Sequence, residues 1–279
     1  MTTIRTFIDS ARALLTNPRA LAILAALYAL LLATLYGFIS TREATVWQVA
    51  ITFVFVVLIP VEFFVLQAAI LQHARTEKFP WAQIMRDAIK LAVVTIPIIL
   101  LGFGIAYLLN KWQAHYLAPE PLLTLSNAKA PPAAQPLHWP TVLFATIRLL
   151  LLGVALPLAT IQLWIEVAAQ DLRSSFGDGG KIVLQRIGNA IARAFAFDSV
   201  LTYALGLILF VLVPYAILFL RIRLTGNKTD FAVFMLRLLL VFLFTLIGWI
   251  VTLTTLAKFD ASPTASVGAI SDAPAEAPA

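Results

Sequence analysis

Six long apolar runs constrain the fold of this chain more than any other feature of its sequence. A helix needs about 20 apolar residues to cross the hydrocarbon core of a bilayer. The first run, residues 20–40, contains no charged residue. The other five runs cover residues 46–72, 91–110, 141–170, 199–220 and 231–257. We therefore expect an all-α integral membrane protein with six transmembrane helices arranged as three hairpins.

The composition argues against a soluble domain. Hydrophobic residues make up 61% of the 279 residues and charged residues only 12%, whereas soluble domains are about 45 to 50% apolar. A soluble core could not bury this much apolar surface, so lipid must solvate most of the side chains. Residues 1–258 are predicted to form one membrane domain. Residues 259–279, rich in Ala, Ser and Pro, are predicted to be a disordered cytoplasmic tail.

The basic residues predict the orientation of the spans. With the N-terminus in the cytoplasm, twelve Lys and Arg residues fall on the cytoplasmic side and six on the other side. Cytoplasmic loops of membrane proteins are enriched in Lys and Arg, so we expect both termini inside, in a bacterial inner (plasma) membrane. The net charge of +6 then points to anionic lipid of the inner leaflet as the partner, and not to nucleic acid.

Each odd-numbered span is preceded by a stretch whose apolar residues recur at helical spacing. These apolar residues are Ile4, Phe7, Ile8, Ala11, Leu14 and Leu15, then Trp81, Ile84, Met85, Ala88 and Leu91, then Leu184, Ile187, Ile191 and Phe195. The basic residues predicted opposite them are Arg5, Arg12, Arg86, Lys90, Arg186 and Arg193. We expect three cytoplasmic amphipathic helices whose basic residues contact the lipid headgroups.

The matching positions of these stretches suggest an internal repeat of an amphipathic helix followed by a two-span hairpin. The units would cover residues 1–73, 74–171 and 172–258. The alternative is that any even-numbered bundle alternates basic inner loops with outer ones. That alternative accounts for the charges but not for three amphipathic stretches in equivalent places.

The deepest carboxylate in the predicted spans is Glu62, which lies roughly 16 Å from the inner end of its helix. Gln162 lies at about the same depth in the fourth span, and Gln67 one to two turns from Glu62. We therefore expect Glu62, Gln67 and Gln162 to form one polar ligand or proton site, since a charge in a span is costly and is by default a functional-site hypothesis. The alternative is a protonated Glu62 that is hydrogen-bonded between helices.

Four prolines, one in each of the second to fifth spans, predict helix kinks at Pro60, Pro97, Pro157 and Pro214. They also suggest that spans two to five form the core, with the first and sixth outside. Arg148 and Arg237 lie roughly 10 to 12 Å from the outer ends of their helices. They either extend to the headgroups or pair with Glu62.

Catalytic and cofactor motifs are missing from the sequence. It has no cysteine and only three histidines, and neither H-E-x-x-H nor G-x-S-x-G occurs. The spacing of His115, Glu120 and His138 fits no compact metal site. We expect no enzyme activity, no cofactor and no metal.

Two functions remain open on the sequence. The first is a non-catalytic scaffold or accessory subunit of a membrane complex, with a membrane-protein partner or a second copy of the chain bound to it. The second is a small transporter, channel or lipid-handling protein with its site at Glu62 and Gln162. The first predicts that Glu62 tolerates replacement by glutamine, and the second predicts that this replacement abolishes activity.

Overall fold

A computed structural model of the chain describes residues 2–41, 45–116, 139–169, 188–220 and 227–261. The described residues form helices, with no strand among them. The helices are α1 (Thr2–Thr16), α2 (Pro18–Ser40), α3 (Val46–Thr76), α4 (Trp81–Tyr116), α5 (Trp139–Ala168), α6 (188–194), α7 (Phe197–Phe219) and α8 (Asn227–Ala261).

Six of these helices, α2 to α5, α7 and α8, are long and apolar enough to cross a membrane. In the most apolar stretch of each, only 6% to 22% of the residues are buried inside the protein. Helices so apolar and so exposed need lipid around them. The six predicted spans are therefore confirmed as helices, and the chain is an integral membrane protein.

Local sequence determines where these helices begin. The Asn17 Oδ1 atom accepts a hydrogen bond from the Ala20 backbone nitrogen at 3.1 Å, and Pro18 is the first residue of α2. Both features match the preferences of helix N-termini. The Thr45 hydroxyl caps α3 in the same way, by accepting from the Gln48 nitrogen at 3.3 Å.

No break precedes the third span. The stretch expected to be a separate amphipathic helix and the span itself form one uninterrupted helix, α4, of 36 residues. Such a helix is about 54 Å long, whereas the hydrocarbon core is about 30 Å thick. Part of α4 must therefore project out of the hydrocarbon core.

Burial is very uneven along the bundle. One half, which we call the packed half, contains the buried residues of the N-terminal part of α2, the C-terminal parts of α3, α5 and α8 and the N-terminal parts of α4 and α7. Among them are Leu24, Leu71, Ile84, Ile165, Tyr203 and Leu256. The remaining half of each long helix, residues 30–40, 46–61, 96–116, 139–151, 208–220 and 229–240, is mostly exposed, and we call it the open half.

The last helix, α8, lies at the centre of the packed half. It contacts α1, α3, α5 and α7, and residues 250–257 are all buried. The expectation that the first and sixth spans lie outside a core of spans two to five is therefore wrong for the sixth span. Proline content was a poor guide, because α8 has no proline and yet buries Leu246, Ile250 and Leu253 in the core.

Glycines allow the close approach of α7 and α8. A Cβ atom at Gly206 would lie 2.1 Å from the Thr252 Oγ1 atom, and one at Gly248 would lie 3.0 Å from the Phe210 backbone nitrogen. Small residues at such positions let membrane helices pack backbone to backbone. The pair Gly206 and Gly248 thus fixes α7 against the central helix.

The four predicted kink positions fall where the packed half gives way to the open half. Pro60 lies inside α3, shortly before its buried run, and Pro97 lies inside α4, two residues after the buried Thr95. Pro157 and Pro214 each follow a π-helical segment, Leu149–Ala155 and Ile208–Leu212 respectively. Helix irregularities therefore coincide with the level at which the helices lose contact with one another.

Several predictions concern residues outside the described ranges. These are the tail beyond residue 261, Glu120 and His138 of the spacing considered for a metal site, and Leu184, Arg186 and Ile187 in the third amphipathic stretch.

Candidate functional site

Glu62 lies at the boundary between the two halves of the bundle. Its Oε1 atom accepts a hydrogen bond from the Thr34 hydroxyl of α2 at 3.0 Å. Its Oε2 atom is buried and has no hydrogen-bond partner among the described residues. A buried carboxyl oxygen without a partner is costly for the fold, which keeps Glu62 a candidate ligand site.

Gln67 and Gln162 are both buried, and each is hydrogen-bonded to another helix. The Trp249 indole of α8 donates to the Gln67 Oε1 atom at 2.8 Å. The Gln162 Nε2 atom donates to the Ser199 hydroxyl of α7 at 3.1 Å. Each amide therefore connects an even-numbered span to α7 or α8 within the packed half.

The three polar residues predicted to share one site thus have their partners on three different helices: Glu62 on α2, Gln67 on α8 and Gln162 on α7. None of these hydrogen bonds joins one of the three to another. A common site at Glu62, Gln67 and Gln162 stays a prediction.

Two cavities flank the centre of the bundle, and their walls are almost entirely apolar. One, of about 270 Å³, lies between α2, α3, α7 and α8 and includes Tyr28 and Phe210 in its lining. The other, of about 290 Å³, lies between α3, α4, α5 and α8 and includes Leu156. The side chains of Phe63 and Trp249 line both cavities. Such walls suit hydrocarbon much better than a polar solute.

The arginines expected near Glu62 do not pair with it among the described residues. The Arg148 guanidinium donates to the side-chain oxygens of Asn110 and of Gln113, at the far end of the open half. Arg237 is half-buried in the open half of α8. Pairing of Arg148 with Glu62 is therefore excluded in this arrangement, since its guanidinium binds α4 instead.

One predicted lipid contact is wrong. Lys90 is only 6% exposed, and its Nζ atom lies 2.9 Å from the Asp87 carboxylate, which is buried as well. The helical turn that brings residues i and i+3 together turns both charges inward, so Lys90 forms an internal ion pair. The other described residues of that group, Arg5, Arg12, Arg86 and Arg193, are exposed.

The amphipathic stretches each divide their apolar residues between two environments. Toward the bundle they bury Leu14 in α1, Ile84 in α4, and Ala190 and Ala194 in α6. Large apolar side chains on the outside remain exposed in all three: Ile4, Ile8 and Leu15, then Trp81 and Met85, then Ile191 and Phe195. Exposed apolar side chains beside exposed arginines are typical of helices at a membrane surface.

Several hydrogen bonds between helices that hold the packed half together were not predicted. The Trp164 indole donates to the Thr95 hydroxyl at 2.8 Å, and the Arg75 guanidinium donates to the Ile165 carbonyl oxygen. The Tyr203 hydroxyl donates at 3.3 Å to the Gly153 carbonyl oxygen. Pro157, four residues later, has no N–H that could donate to this oxygen. A signal did exist for the indoles, since a tryptophan deep in a span needs an acceptor.

No group of three or more His, Asp and Glu residues among the described residues could hold a metal ion. The fold and these contacts define a class: an all-helical membrane protein with six membrane-length helices, packed tightly in one half and open in the other. No protein-family model matches the chain, and no curated protein and no solved structure is significantly similar to it.

Proposed function

We propose that this protein is a non-catalytic scaffold or accessory subunit of a membrane complex. The observation that carries the proposal is that Gln67, Gln162 and Trp164 are hydrogen-bonded to neighbouring helices, while the walls of both central cavities are almost entirely apolar. A polar solute would find no polar wall to bind to, whereas a rigid bundle with a separated open half offers apolar surface to a membrane-embedded partner.

The orientation proposed for the chain places the packed half at the cytoplasmic leaflet. The termini of the described chain lie at this end, where the Lys258 ammonium donates to the Ser10 hydroxyl at 3.2 Å. The exposed arginines Arg5, Arg12, Arg86 and Arg193 also belong to this end. Together with the exposed apolar side chains beside them, they would anchor the bundle on anionic lipid.

The three-hairpin repeat is part of the proposal. Support comes from contacts between consecutive long helices that run in opposite directions: Thr34 with Glu62 in α2 and α3, Thr95 with Trp164 in α4 and α5, and Gly206 with Thr252 in α7 and α8. The second helices of the three pairs, α3, α5 and α8, also contact one another. This arrangement would make each hairpin one third of the bundle.

Site-specific photo-crosslinking in the host membrane tests the scaffold function. A photoreactive phenylalanine analogue would replace Phe53, Phe103 or Phe234, which are all exposed in the open half. We expect each position to crosslink to the same membrane protein. The matched control is the same analogue at Phe195, which is exposed at the packed end, and should give no such product. Lipid adducts alone from all positions would contradict the proposal.

One observation favours a second function, that of a lipid-handling protein or small transporter. The Glu62 Oε2 atom is buried without a partner among the described residues, and the two apolar cavities lie nearby in the same bundle. A carboxyl group so placed could take up and release a proton as a ligand moves. The polar site would then be Glu62 rather than the full set with Gln67 and Gln162.

The substitution Glu62→Gln separates the two functions. The amide keeps the acceptor for the Thr34 hydroxyl but cannot ionise. A scaffold should keep its crosslinked partner and its folding with this variant. A proton-coupled protein should fold normally, as judged by its elution as a monodisperse species, yet lose the lipid or solute that copurifies with the unmodified chain.

A further inference from the structure

A third cavity, of about 250 Å³, lies at the packed end of the bundle and differs in chemistry from the two central ones. It is formed where α1, α2, α3 and α8 meet, and its polar lining residues include Ser10, Asn17, His73, Glu77, Thr254 and Lys258. Neither the sequence motifs nor the proposed function makes use of it.

The position of this cavity corresponds to the membrane surface. His73 is in the last turn of α3 and Lys258 in the last turn of α8, while Asn17 caps the start of α2. All three helices are membrane-length. In the orientation proposed above, these helix ends lie on the side of the cytoplasmic headgroups, and the cavity opens on that side.

Charges of both signs face the cavity. The Lys258 ammonium donates to the Ser10 hydroxyl across the gap between α8 and α1 at 3.2 Å. The His73 imidazole interacts electrostatically with both the Glu77 carboxylate and the Lys258 ammonium. Its imidazole stacks on the Phe79 ring, with centroids 5.2 Å apart, and its Nδ1 atom is buried without a partner among the described residues.

The backbone at Glu77 is unusual. Its φ of 55° is the one positive value among the described non-glycine residues, and its nitrogen closes α3 by donating to the His73 carbonyl oxygen at 3.0 Å. Glycine is the common residue at this left-handed position, because it lacks a Cβ atom. Glu77 both ends α3 and lines the cavity, so the helix terminus places a carboxylate in the cavity wall.

We propose that this cavity binds the headgroup of a zwitterionic phospholipid, with the phosphate at Lys258 and Ser10 and the primary ammonium at Glu77. The phosphoethanolamine headgroup fits this pattern. A purely anionic headgroup would place negative charge against Glu77, and a trimethylated ammonium could not donate a hydrogen bond to it. The Thr254 hydroxyl and the Asn17 side chain add further oxygen atoms to the lining.

The size of the cavity is consistent with this ligand. At about 30 Å³ for each water molecule in the liquid, the cavity holds the equivalent of about eight waters. Phosphoethanolamine has a comparable number of heavy atoms. The acyl chains would leave along the exposed apolar side of the bundle. This proposal is independent of the scaffold function, because it concerns the other end of the molecule.

Native mass spectrometry of the full-length chain, released from nanodiscs with equal amounts of phosphatidylethanolamine, phosphatidylcholine and phosphatidylglycerol, tests the proposal. We expect one phosphatidylethanolamine to be retained in roughly tenfold preference to either other lipid, as one charge-assisted hydrogen bond of about 1.4 kcal/mol would give. Equal retention of the three lipids would overturn the proposal. So would displacement of the lipid by soluble phosphoethanolamine at equal concentration, since the site would then serve a soluble ligand.

Two substitutions at Glu77 separate binding from folding. Glu77→Gln should abolish the preference over phosphatidylglycerol. Glu77→Gly should do the same while leaving the melting temperature equal or higher, because glycine relieves the left-handed backbone. Lys258→Gln should weaken retention of all three lipids. The matched controls Lys78→Gln and Lys111→Gln, which change lysines that do not line the cavity, should leave the preference intact. An unchanged preference in Glu77→Gly would overturn the assignment of the ammonium to this residue.

Discussion

The same long apolar helices form the packed half and the open half, yet only the packed half is held together by many contacts between helices. In the packed half, polar and small side chains connect neighbouring helices, as Trp249 does with Gln67 and Thr252 with Gly206. In the open half, leucines, valines and phenylalanines face outward, and the main polar link is Arg148 with Asn110 and Gln113. Because lipid is as apolar as leucine, apolar side chains alone do not drive helices together.

The prolines lie near the boundary between the halves. Pro60, Pro97 and Pro157, and the π-helical segment before Pro214, lie at the same level as the change in burial. Proline removes a helical hydrogen bond and can bend a helix, so kinks at these positions stay a prediction. Since α2 and α8 also become exposed without a proline at that level, proline is not the only cause of the open half.

The largest effect is expected from removing a charge inside the packed half. Lys90→Gln leaves the Asp87 carboxylate buried without its ion pair, which costs about 3 to 5 kcal/mol when a buried pair is broken. The measurement is the free energy of unfolding in mixed detergent micelles. Arg86→Gln, four residues earlier and exposed, is the matched control and should change that free energy by less than about 0.5 kcal/mol. Equal effects of the two variants would show that Lys90 is in contact with lipid after all.

A smaller effect is expected at the close contact of α7 and α8. Gly206→Ala introduces a Cβ atom 2.1 Å from the Thr252 Oγ1 atom and 2.8 Å from its Cγ2 atom. Thr252 can move only by giving up its 2.6 Å hydrogen bond to the Gly248 carbonyl oxygen, so we expect a loss of about 1 to 3 kcal/mol. Intrinsic tryptophan fluorescence during thermal unfolding reports the change.

The matched control for that contact is Gly104→Ala in the open half. No atom lies within 4 Å of a Cβ at Gly104, and alanine favours a helix over glycine by up to about 1 kcal/mol. This variant should unfold at the same temperature or a higher one. A loss of stability as large as that of Gly206→Ala would mean that the open half is also closely packed in the membrane.

Hydropathy was enough to predict the six spans, because the length of an apolar run is itself the physical requirement for crossing a bilayer. It could not predict that α8 is central, since a helix surrounded by lipid and a helix surrounded by helices are both apolar. The signal in the sequence for a central α8 is the run of Thr252, Thr254 and Thr255 with Gly248. The ion pair of Lys90 with Asp87 was not predicted, because charged residues close together on a helix indicate a side that faces solvent.

The candidate site could be predicted only as a list of residues. The sequence places Glu62 and Gln162 at similar depth, but depth does not give the rotation of each helix about its axis. In the structure that rotation turns Glu62 toward Thr34 of α2 and Gln162 toward Ser199 of α7. The cavity at Lys258 was not predictable either, because α1 and α8 are far apart in the chain.

The smallest effect is expected at the boundary itself, where Thr34→Val removes the hydroxyl that donates to Glu62. Hydrogen bonds between membrane helices are worth about 0.6 kcal/mol on average, so the variant should lose about that much in the free energy of unfolding. The double variant with Glu62→Leu, which removes the acceptor that glutamine would keep, then decides the role of the carboxyl group. If Glu62 only joins α3 to α2, the second substitution costs nothing further in hydrogen bonding once Thr34 is gone.

Thr52→Val is the matched control for this cycle, because its hydroxyl donates at 3.0 Å to the Gln48 carbonyl oxygen of its own helix. Its effect should add to that of Glu62→Leu without coupling, since the two residues share no partner. Full additivity of Thr34→Val with Glu62→Leu would instead mean that the Thr34 bond contributes nothing to the junction of the halves. The buried Oε2 atom would then be the reason that a carboxylic acid occupies this position, which favours the lipid-handling function over the scaffold.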